Sequence, residues 1–314
     1  MDAFLKCYYG YQNFGDEILL LWVLQYLHKQ WITSLVIEVW DKDRTTKRLQ
    51  KNSNLIPNIA ISLVQKWKYN QKKYTNTLKI FGWGEVFNDQ DNYHITQRYN
   101  PKQRLYKVLS FIFSRSWRNY YLQYKQDIKA GNFQVLGGIG KPYKFTTKRL
   151  YRRILTNAQK LIVRDQWSYA VVSHYHSNPI LHEDFAIDIC RQLSMKNTKS
   201  TKNVLINCSS HSFTNQNIGK ILNYLEQYPD HTPTFFPCDM HDDKNIFPLL
   251  QKHIPKLKFY DRTTHSLQET MQLFQSSAWA IGSRLHFLIP CKVYNIPLEA
   301  IVYKDKVRKI ILDN

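Results

Sequence analysis

Acidic residues are scarce in this sequence, which has 24 Asp and Glu residues against 44 Lys and Arg residues in a chain of 314. The resulting formal net charge of +20 implies that the protein has an anionic partner. A phosphorylated substrate, an acidic glycan, a lipid surface and a nucleic acid all carry suitable charge.

Cysteine is also sparse, since the chain has five cysteines that are widely scattered and never spaced as C-x-x-C. This usage argues against a disulfide framework and fits a reducing compartment. No apolar run reaches the ~20 residues that a membrane span needs. The run from Ile18 to Leu27 follows two acidic residues rather than the basic segment of a secretory signal. We therefore expect a soluble, cytoplasmic protein.

Apolar residues make up 43% of the chain and aromatic residues 14%, which is enough to fill real cores and excludes long-range disorder. At ~150 residues per domain, the length predicts two domains. The segment 194–202 is polar and has no apolar periodicity, so it is a candidate linker. We accordingly place the domains at residues 1–195 and 203–314.

The positive charge is concentrated in residues 66–164, which hold 21 basic residues and four acidic ones, a net of 21 − 4 = +17. In residues 98–153, aromatic side chains are interspersed among the cations. Three interpretations stay open: a surface that binds anionic lipid or glycan, a site for single-stranded nucleic acid, and an ordinary solvated helix face. Nucleic acid is not expected, because the sequence has no zinc spacing, RNP-like run or helix-turn-helix pattern.

Short apolar runs alternate with segments of helical periodicity along most of the chain. The runs predicted to be strands are residues 4–9, 34–39, 78–81, 133–136, 160–163, 180–182, 204–208, 234–237, 256–260 and 279–282. This alternation predicts an α/β fold of two doubly wound, Rossmann-like domains facing a cleft, which is a GT-B-like architecture, with a C-terminal tail that returns toward the first domain. In an open parallel sheet, ligands bind beyond the carboxyl ends of the strands.

The first candidate motif follows the first predicted strand. Gly10 and Gly15 permit a tight turn between strand and helix, and Asn13 can cap the helix or bind a ligand. The helix that starts behind Asp16 offers unpaired backbone N–H groups. The motif lacks the full G-x-G-x-x-G pattern, so a dinucleotide site is not supported. An ordinary capped turn is the alternative interpretation.

Two further motifs place an arginine at a strand end. Arg164 and Asp165 follow an apolar strand, and a guanidinium suits bidentate capture of a carboxylate or phosphate. A surface ion pair would explain the same two residues. Arg284 and His286 lie two residues apart, and a cation beside an imidazole is suited to binding an anion and moving a proton. A buried histidine with satisfied hydrogen bonds is the alternative there.

Histidine and acidic residues are also grouped in residues 174–184, but their spacing matches no familiar zinc pattern, so we expect no metal. The run His241-Asp242-Asp243 is predicted to cap the helix that follows it.

These motifs resemble those of the polysaccharide pyruvyl transferase family. The resemblance rests on Tyr9-Gly10-x-x-Asn13-x-Gly15-Asp16-Glu17, Gly82-Trp83-Gly84-Glu85, Gly138-Ile139-Gly140-Lys141-Pro142, Arg164-Asp165-x-x-Ser168 with the later Asp184, and Arg284-Leu285-His286-x-x-Ile289-Pro290. The motifs occur in the family's order and span most of the chain.

The resemblance implies phosphoenolpyruvate as the donor substrate, a pair of sugar hydroxyls as the acceptor and a pyruvate ketal as the product. It assigns Arg164 and Arg284 to the carboxylate and phosphate of the donor. His286 is hypothesised to be the general acid or the group that protonates the leaving phosphate, with Asp16 or Asp165 accepting a hydroxyl proton. The remaining substrate-binding candidates, from the same motifs, are Leu285, Asn13, Gly10, Gly15, Gly84, Gly140 and Lys141. No cofactor is implied, because the arginines can neutralise the phosphate without a metal.

The expected partners are phosphoenolpyruvate, a glycan acceptor that is either free or lipid-linked, and an anionic membrane surface at the inner face of the plasma membrane. Two other functions stay open at this point. One is a GT-B glycosyltransferase that uses a nucleotide-sugar donor, since fold alone does not separate the two reactions. The other is a non-catalytic protein that binds polyanions through its basic segment.

Overall fold

The computed structural model describes residues 2–9, 12–65, 77–86, 132–140, 145–195 and 200–302. Gly10, Lys141, the C-terminal tail and most of the basic segment 98–153 lie outside these ranges, so the predictions made for them stay predictions. Gly84 lies in a strand whose backbone is described.

A seven-stranded sheet forms from the first part of the described chain, and the pairings of known register are parallel. Its strands are β1 (Asp2–Tyr9), β2 (Ser34–Val39), β3 (Ala60–Gln65), β4 (Leu78–Val86), β5 (Phe133–Ile139), β6 (Lys160–Val163) and β7 (Ile180–Leu181). Their order is β3-β2-β1-β4-β5-β6-β7, so the direction of winding reverses between β1 and β4. The apolar runs are explained by this layout, because inner parallel strands are buried on both faces.

The second sheet has five strands in the described residues and follows the same plan. The strands are β8 (Asn203–Asn207), β9 (Thr232–Phe235), β10 (Lys258–Phe259), β11 (Trp279–Gly282) and β12 (Leu298–Ala300). Their order is β10-β9-β8-β11-β12, with the reversal between β8 and β11. The predicted α/β fold of two doubly wound sheets is therefore confirmed, and each reversal point marks where a ligand crevice is expected.

Helices provide the crossovers that parallel strands require. They are α1 (Phe14–Lys29), α2 (Lys42–Lys51), α3 (Phe145–Asn157), α4 (Gln166–Val172), α5 (Phe185–Gln192), α6 (Asn215–Gln227), α7 (Phe247–His253), α8 (Leu267–Ser276) and α9 (Leu285–Val293). Short 3₁₀ turns occur at Ser53–Leu55, Asp243–Asn245 and Arg262–Thr264.

The chain divides into two compact units that are interleaved in sequence. One unit comprises Met1–Tyr8, Leu27–Val39 and Asn58–Asp184, and the other comprises Tyr9–Tyr26, Trp40–Pro57 and Phe185–Asn314. Most of α1 and all of α2 thus group with the second sheet, although they follow strands of the first sheet. The domain boundary predicted at residues 194–202 stays a prediction.

Strands β4 and β5 extend beyond their predicted ends, through the glycines that follow the apolar runs. Their pairing continues to Val86 and Ile139, with a register shift between Gly82 and Glu85. Because pairing resumes after this irregularity, the loss of apolar side chains at the glycines does not end the strands. Within the described ranges, no helix is long and apolar enough to cross a bilayer.

Candidate active site

The turn before α1 is held against the loop after β9. Gln12 adopts a left-handed conformation with φ of 58°, and the Asn13 side chain accepts a hydrogen bond of 2.9 Å from the backbone N–H of Gly15. Asn13 forms an isolated antiparallel bridge with Asp239, and the N–H of Phe14 donates to the carbonyl of Cys238 at 2.7 Å. Asn13 therefore orders the turn through its side chain as well as its backbone.

Glu17, in the first turn of α1, is buried between two arginines. Its Oε2 lies 2.5 Å from Nη2 of Arg48, and its Oε1 lies 3.3 Å from Nη1 of Arg262. Arg48 also donates to the carbonyls of Arg262 and His265, at 2.8 and 2.6 Å. Removing one partner of a buried ion pair typically costs about 3–5 kcal/mol, so this network contributes strongly to the local fold.

Arg262 is only 1% exposed and is surrounded by acceptors. Its Nε donates to the carbonyl of Pro237 at 2.7 Å, and its Nη2 donates to the carbonyls of Gln12 and Cys238, at 2.5 and 3.2 Å. The guanidinium also lies over the ring of Phe14, 5.3 Å from its centre. Neither Arg48 nor Arg262 was among the sequence candidates, because nothing near them in sequence signals a partner so distant along the chain.

His286 lies in the first turn of α9, and its ring packs directly on the backbone of α1. A Cβ atom added at Gly15 would lie 2.0 Å from Nδ1 of His286, so only a glycine at this position leaves room for the imidazole. His286 is half-buried, and the neighbouring Leu285 is buried. The first and last sequence motifs therefore meet in the structure.

Arg284, immediately before α9, is paired with two carboxylates. Its guanidinium contacts Asp242, and its Nη2 lies 2.6 Å from Oδ1 of Asp243. The backbone N–H of Arg284 donates to Oδ1 of Asn207 at 3.0 Å. Burial raises the pKa of Asp243, and the nearby Arg284 counteracts part of this rise.

The prediction that His241-Asp242-Asp243 caps the following helix is wrong. Neither Asp242, which precedes the 3₁₀ turn, nor Ile246, which precedes α7, makes a side-chain capping bond. Oδ2 of Asp243 instead accepts from the backbone N–H groups of Cys238 and Asp239, at 2.9 and 3.1 Å. The half-buried Arg284 guanidinium is the stronger competitor for these carboxylates, because charge-assisted hydrogen bonds are stronger than hydrogen bonds from neutral amides.

Three buried serines lie at the reversal point of the second sheet. The Ser212 hydroxyl lies 2.8 Å from the Ser283 hydroxyl and 3.1 Å from the Ser209 hydroxyl. The backbone N–H of Ser209 donates to Ser212 at 2.9 Å. Burial raises the pKa of the adjacent Cys208 thiol to about 11, so this cysteine is not a ready nucleophile. The cluster fixes the loops that follow β8 and β11.

The Arg164-Asp165 motif belongs to the other unit, where it adjoins the glycine-rich end of β5. Nη1 of the buried Arg164 lies 3.5 Å from Oδ2 of Asp184, and its Nε lies 3.9 Å from Oδ2 of Asp165. Asp165 caps α4 by accepting from the N–H of Ser168 at 2.7 Å. The Ser168 hydroxyl in turn accepts from the N–H of Ile139 at 2.8 Å.

Gly140 follows this contact, and its carbonyl accepts from the Tyr151 hydroxyl at 3.0 Å. The structure thus brings the sequence candidates together as two groups, one in each unit. Asn13, Gly15, Asp16, Arg284, Leu285 and His286 belong to the second unit, and Gly140, Arg164 and Asp165 to the first. The prediction that Arg164 and Arg284 bind one donor molecule stays a prediction.

Asp16 is half-buried and borders a shallow recess in the second unit. The recess is lined by Tyr9, Gln12, Asn13, Asp16, Glu17, Arg44, Thr45 and Arg48. It therefore joins the first motif to α2, and Asp16 is reachable from solvent there. In the part of the chain that is described, no group of three or more His, Cys, Asp or Glu residues could hold a metal ion.

Comparison with known proteins supports both the family resemblance and the fold. A family model for polysaccharide pyruvyl transferase matches residues 13–305. No curated protein sequence matches the chain.

Among solved structures, the chain is similar to the UDP-GlcNAc 2-epimerase from Neisseria meningitidis bound to UDP-GlcNAc. The identity is 11%, over 97% of this chain and 83% of that one, with a TM-score of 0.55. The UDP-N-acetylglucosamine 2-epimerase from Rickettsia bellii has 9% identity over 95% and 78%, with a TM-score of 0.56. The Methanocaldococcus jannaschii UDP-GlcNAc 2-epimerase has 10% identity over 100% and 92%, with a TM-score of 0.52. At such low identities the structural similarity shows the fold alone, and this shared fold confirms the GT-B-like class.

Proposed function

Because this chain belongs to the polysaccharide pyruvyl transferase family, we propose that it transfers the enolpyruvyl group of phosphoenolpyruvate onto two hydroxyls of one sugar residue. The product is a pyruvate ketal on a surface polysaccharide or on its lipid-linked precursor. The observation that carries this proposal is the family match over residues 13–305, which includes the motifs that meet at Gly15 and His286.

The proposed reaction begins with protonation of the methylene carbon of phosphoenolpyruvate, which leaves an electron-deficient centre at C2. One sugar hydroxyl attacks C2 and loses its proton. The C–O bond to phosphate then breaks, and the second hydroxyl attacks the same carbon and loses its proton. Of the two hydroxyl protons, one balances the proton gained by the methyl carbon and the other leaves with inorganic phosphate.

His286 is proposed as the proton donor to the methylene carbon or to the departing phosphate. Its ring is held by packing on Gly15 and is half-buried, so its orientation is restricted before substrate binds. A positioned general acid or base typically contributes ~10²–10⁴-fold to the rate. Asp16, which borders the recess beside the same turn, or Asp165 is proposed to accept a hydroxyl proton.

Arg284 and Arg164 are proposed to bind the carboxylate and phosphate of the donor. Each guanidinium is oriented by acidic residues, Arg284 by Asp242 and Asp243 and Arg164 by Asp184 and Asp165. A guanidinium held in this way retains N–H groups in a fixed fork, which suits planar anions. Leu285, between Arg284 and His286, is buried and anchors the start of α9.

The direct experiment incubates the protein with phosphoenolpyruvate and a panel of glycans that carry adjacent or 1,3-related hydroxyls. Release of inorganic phosphate and a product whose mass has grown by one pyruvate ketal are both expected. Phosphate release without a glycan adduct, or neither signal across the panel, would count against the proposal.

A nucleotide-sugar transferase is the second candidate, because the epimerase from Neisseria meningitidis that shares the fold was solved with UDP-GlcNAc. Thermal shift separates the two, since a ligand that binds the folded state raises the melting temperature by mass action. We expect stabilisation by phosphoenolpyruvate and not by UDP- or GDP-sugars. The opposite pattern would favour the glycosyltransferase.

The strongly basic segment 98–153 is proposed to meet an anionic surface, either the membrane or an acidic glycan acceptor. This arrangement would place the enzyme at the inner face of the plasma membrane, near lipid-linked precursors. Co-sedimentation of the protein with vesicles rich in anionic lipid is expected to weaken steeply as salt is added, because salt screens exposed charges. Vesicle binding that does not change with salt concentration would contradict an electrostatic contact.

A further inference from the structure

Arg262 joins two segments that each lead to the candidate active site. Its guanidinium donates to the carbonyl of Gln12, in the turn before α1, and to the carbonyls of Pro237 and Cys238, after β9. The same guanidinium pairs with Glu17 in the first turn of α1 at 3.3 Å. This side chain therefore links the turn and the start of α1 to the loop after β9, in addition to the backbone contacts of Asn13 and Phe14.

Arg48 forms a second layer of the same network. It binds the other oxygen of Glu17 at 2.5 Å and holds the backbone carbonyl of Arg262 at 2.8 Å. The Glu17 carboxylate is thus shared by two arginines that are 7% and 1% exposed. Arg48, in α2, therefore helps to fix both the direction of the Glu17 carboxylate and the position of Arg262.

This network lies next to the contact between Gly15 and His286. Gly15 and Glu17 are two residues apart in the same helical turn, so a displacement of Glu17 moves Gly15 as well. The space between Gly15 and the imidazole is already too small for a methyl group. A small shift of α1 would consequently tilt or release the His286 ring.

We propose that Arg262, supported by Arg48 through Glu17, is a positioning residue that sets the orientation of His286 for proton transfer. The inference rests on the proposed function of His286. Stability alone does not explain a buried arginine here, since apolar residues of similar volume often stabilise a core equally well or better. What the guanidinium supplies is a set of bonds of fixed length and direction to Gln12, Pro237 and Cys238, which an apolar side chain cannot make.

The test uses the full chain with two conservative variants, Arg262→Lys and Glu17→Gln. Lysine keeps the charge but cannot reach three carbonyls and a carboxylate at once, and glutamine keeps the shape of Glu17 without its charge. We expect kcat to fall by about 100-fold, as small misplacements of catalytic groups do, while KM for phosphoenolpyruvate changes by less than about 3-fold. Amide hydrogen exchange in residues 12–17 is expected to accelerate in both variants.

The control is Leu250→Ala, which removes a fully buried side chain of α7 and destabilises the core of the second sheet without touching the network. We expect kcat of the folded Leu250→Ala protein to stay near that of the wild type. A kcat within about 3-fold of the wild type in both network variants would overturn the inference, as would an equal loss in the control. Failure of both network variants to fold would also overturn it, because their role would then be structural alone.

These outcomes are separable from failure of the proposed function. A wild-type protein that forms no ketal contradicts the proposed function, whatever the variants do. Hydrogen exchange needs no substrate, so accelerated exchange in residues 12–17 would still show that the network holds the turn. Unchanged exchange, with an active wild type, would contradict the positioning role directly.

Discussion

The imidazole of His286 lies so close to the backbone of Gly15 that an added Cβ atom would fall 2.0 Å from its Nδ1 atom. Two motifs from opposite ends of the chain are thereby joined at one contact. The glycine of the first motif is required for the space it leaves rather than for an unusual φ. Its proposed role is to allow the histidine to reach its working position.

Gly15→Ala is expected to lower ketal formation by about 100-fold, because the methyl group displaces the imidazole. Circular dichroism should show a folded protein, since alanine suits the first turn of α1 better than glycine does. Gly219→Ala is the matched control, because the added Cβ would meet nothing within 4 Å apart from the adjoining backbone of its own helix. That control should keep its activity and gain about 0.5–1 kcal/mol of stability. Near-normal activity of Gly15→Ala would show that the contact is not needed.

Asp242→Asn is expected to tighten binding of phosphoenolpyruvate. The substitution removes one carboxylate beside Arg284, while Asp243 still orients the guanidinium through bonds of 2.6 and 3.1 Å. The Asp242 carboxylate repels the anionic donor, and two unit charges about 4 Å apart in water interact by about 1 kcal/mol, so its removal corresponds to a roughly 5-fold lower KM. Asp230→Asn, at an exposed carboxylate paired with Lys202, is the control and should leave KM unchanged. A raised KM would mean that Asp242 assists the donor site instead.

Ser168→Ala is expected to destabilise the first unit. The buried hydroxyl accepts from the N–H of Ile139, and its loss leaves that donor unsatisfied at a cost of about 1–3 kcal/mol. Urea denaturation should show a lower midpoint with an unchanged slope. Ser173→Ala, at an exposed hydroxyl that bonds the Tyr169 carbonyl, should shift the midpoint far less. Equal midpoint shifts in the two variants would indicate that the hydrogen bond between Ile139 and Ser168 does not stabilise the contact between their two motifs.

Much of the fold could be predicted from sequence because it depends on local patterns. The strands β2, β6 and β11 begin and end where their apolar runs do. Helix α2 and strand β3 were missed, since α2 is almost entirely polar, with the sequence KDRTTKRLQK, and most β3 residues are only half-buried. An element stabilised by a few tertiary contacts, such as the Arg48 network, leaves little periodic signal.

Sequence motifs predict individual residues of the candidate site. Gly15 and His286 were both identified from sequence, but their contact was not. The partners of Glu17 were also missed, because a buried ion pair between α1 and Arg262 depends on tertiary geometry. Sequence alone favours the nearest helix as the partner of Asp242 and Asp243, whereas the structure pairs both carboxylates with Arg284.

The capping box at the start of α8 predicts a pH-dependent stability. Hydrogen bonds from the backbone and side chain of Ser266 lower the pKa of Glu269 below its usual 4.5. A lowered folded-state pKa means that the stabilisation is complete above pH 4.5 and is lost as the pH falls through the folded pKa. Glu269→Gln should therefore lower the melting temperature at pH 7, and the difference from wild type should shrink at acidic pH.

The control for that experiment is Glu226→Gln, which neutralises one exposed glutamate of α6. It should change the melting temperature little at either pH. A Glu269→Gln difference that is constant or grows toward acidic pH would contradict the assigned hydrogen bonds.

The most direct test of the account is the rate of ketal formation from phosphoenolpyruvate by His286→Ala, measured as glycan adduct and released phosphate together. We predict a loss of at least about 100-fold with the protein still folded, and no loss in His253→Ala, an exposed histidine at the end of α7. Near-normal transfer by His286→Ala would contradict the assignment of proton transfer to this imidazole.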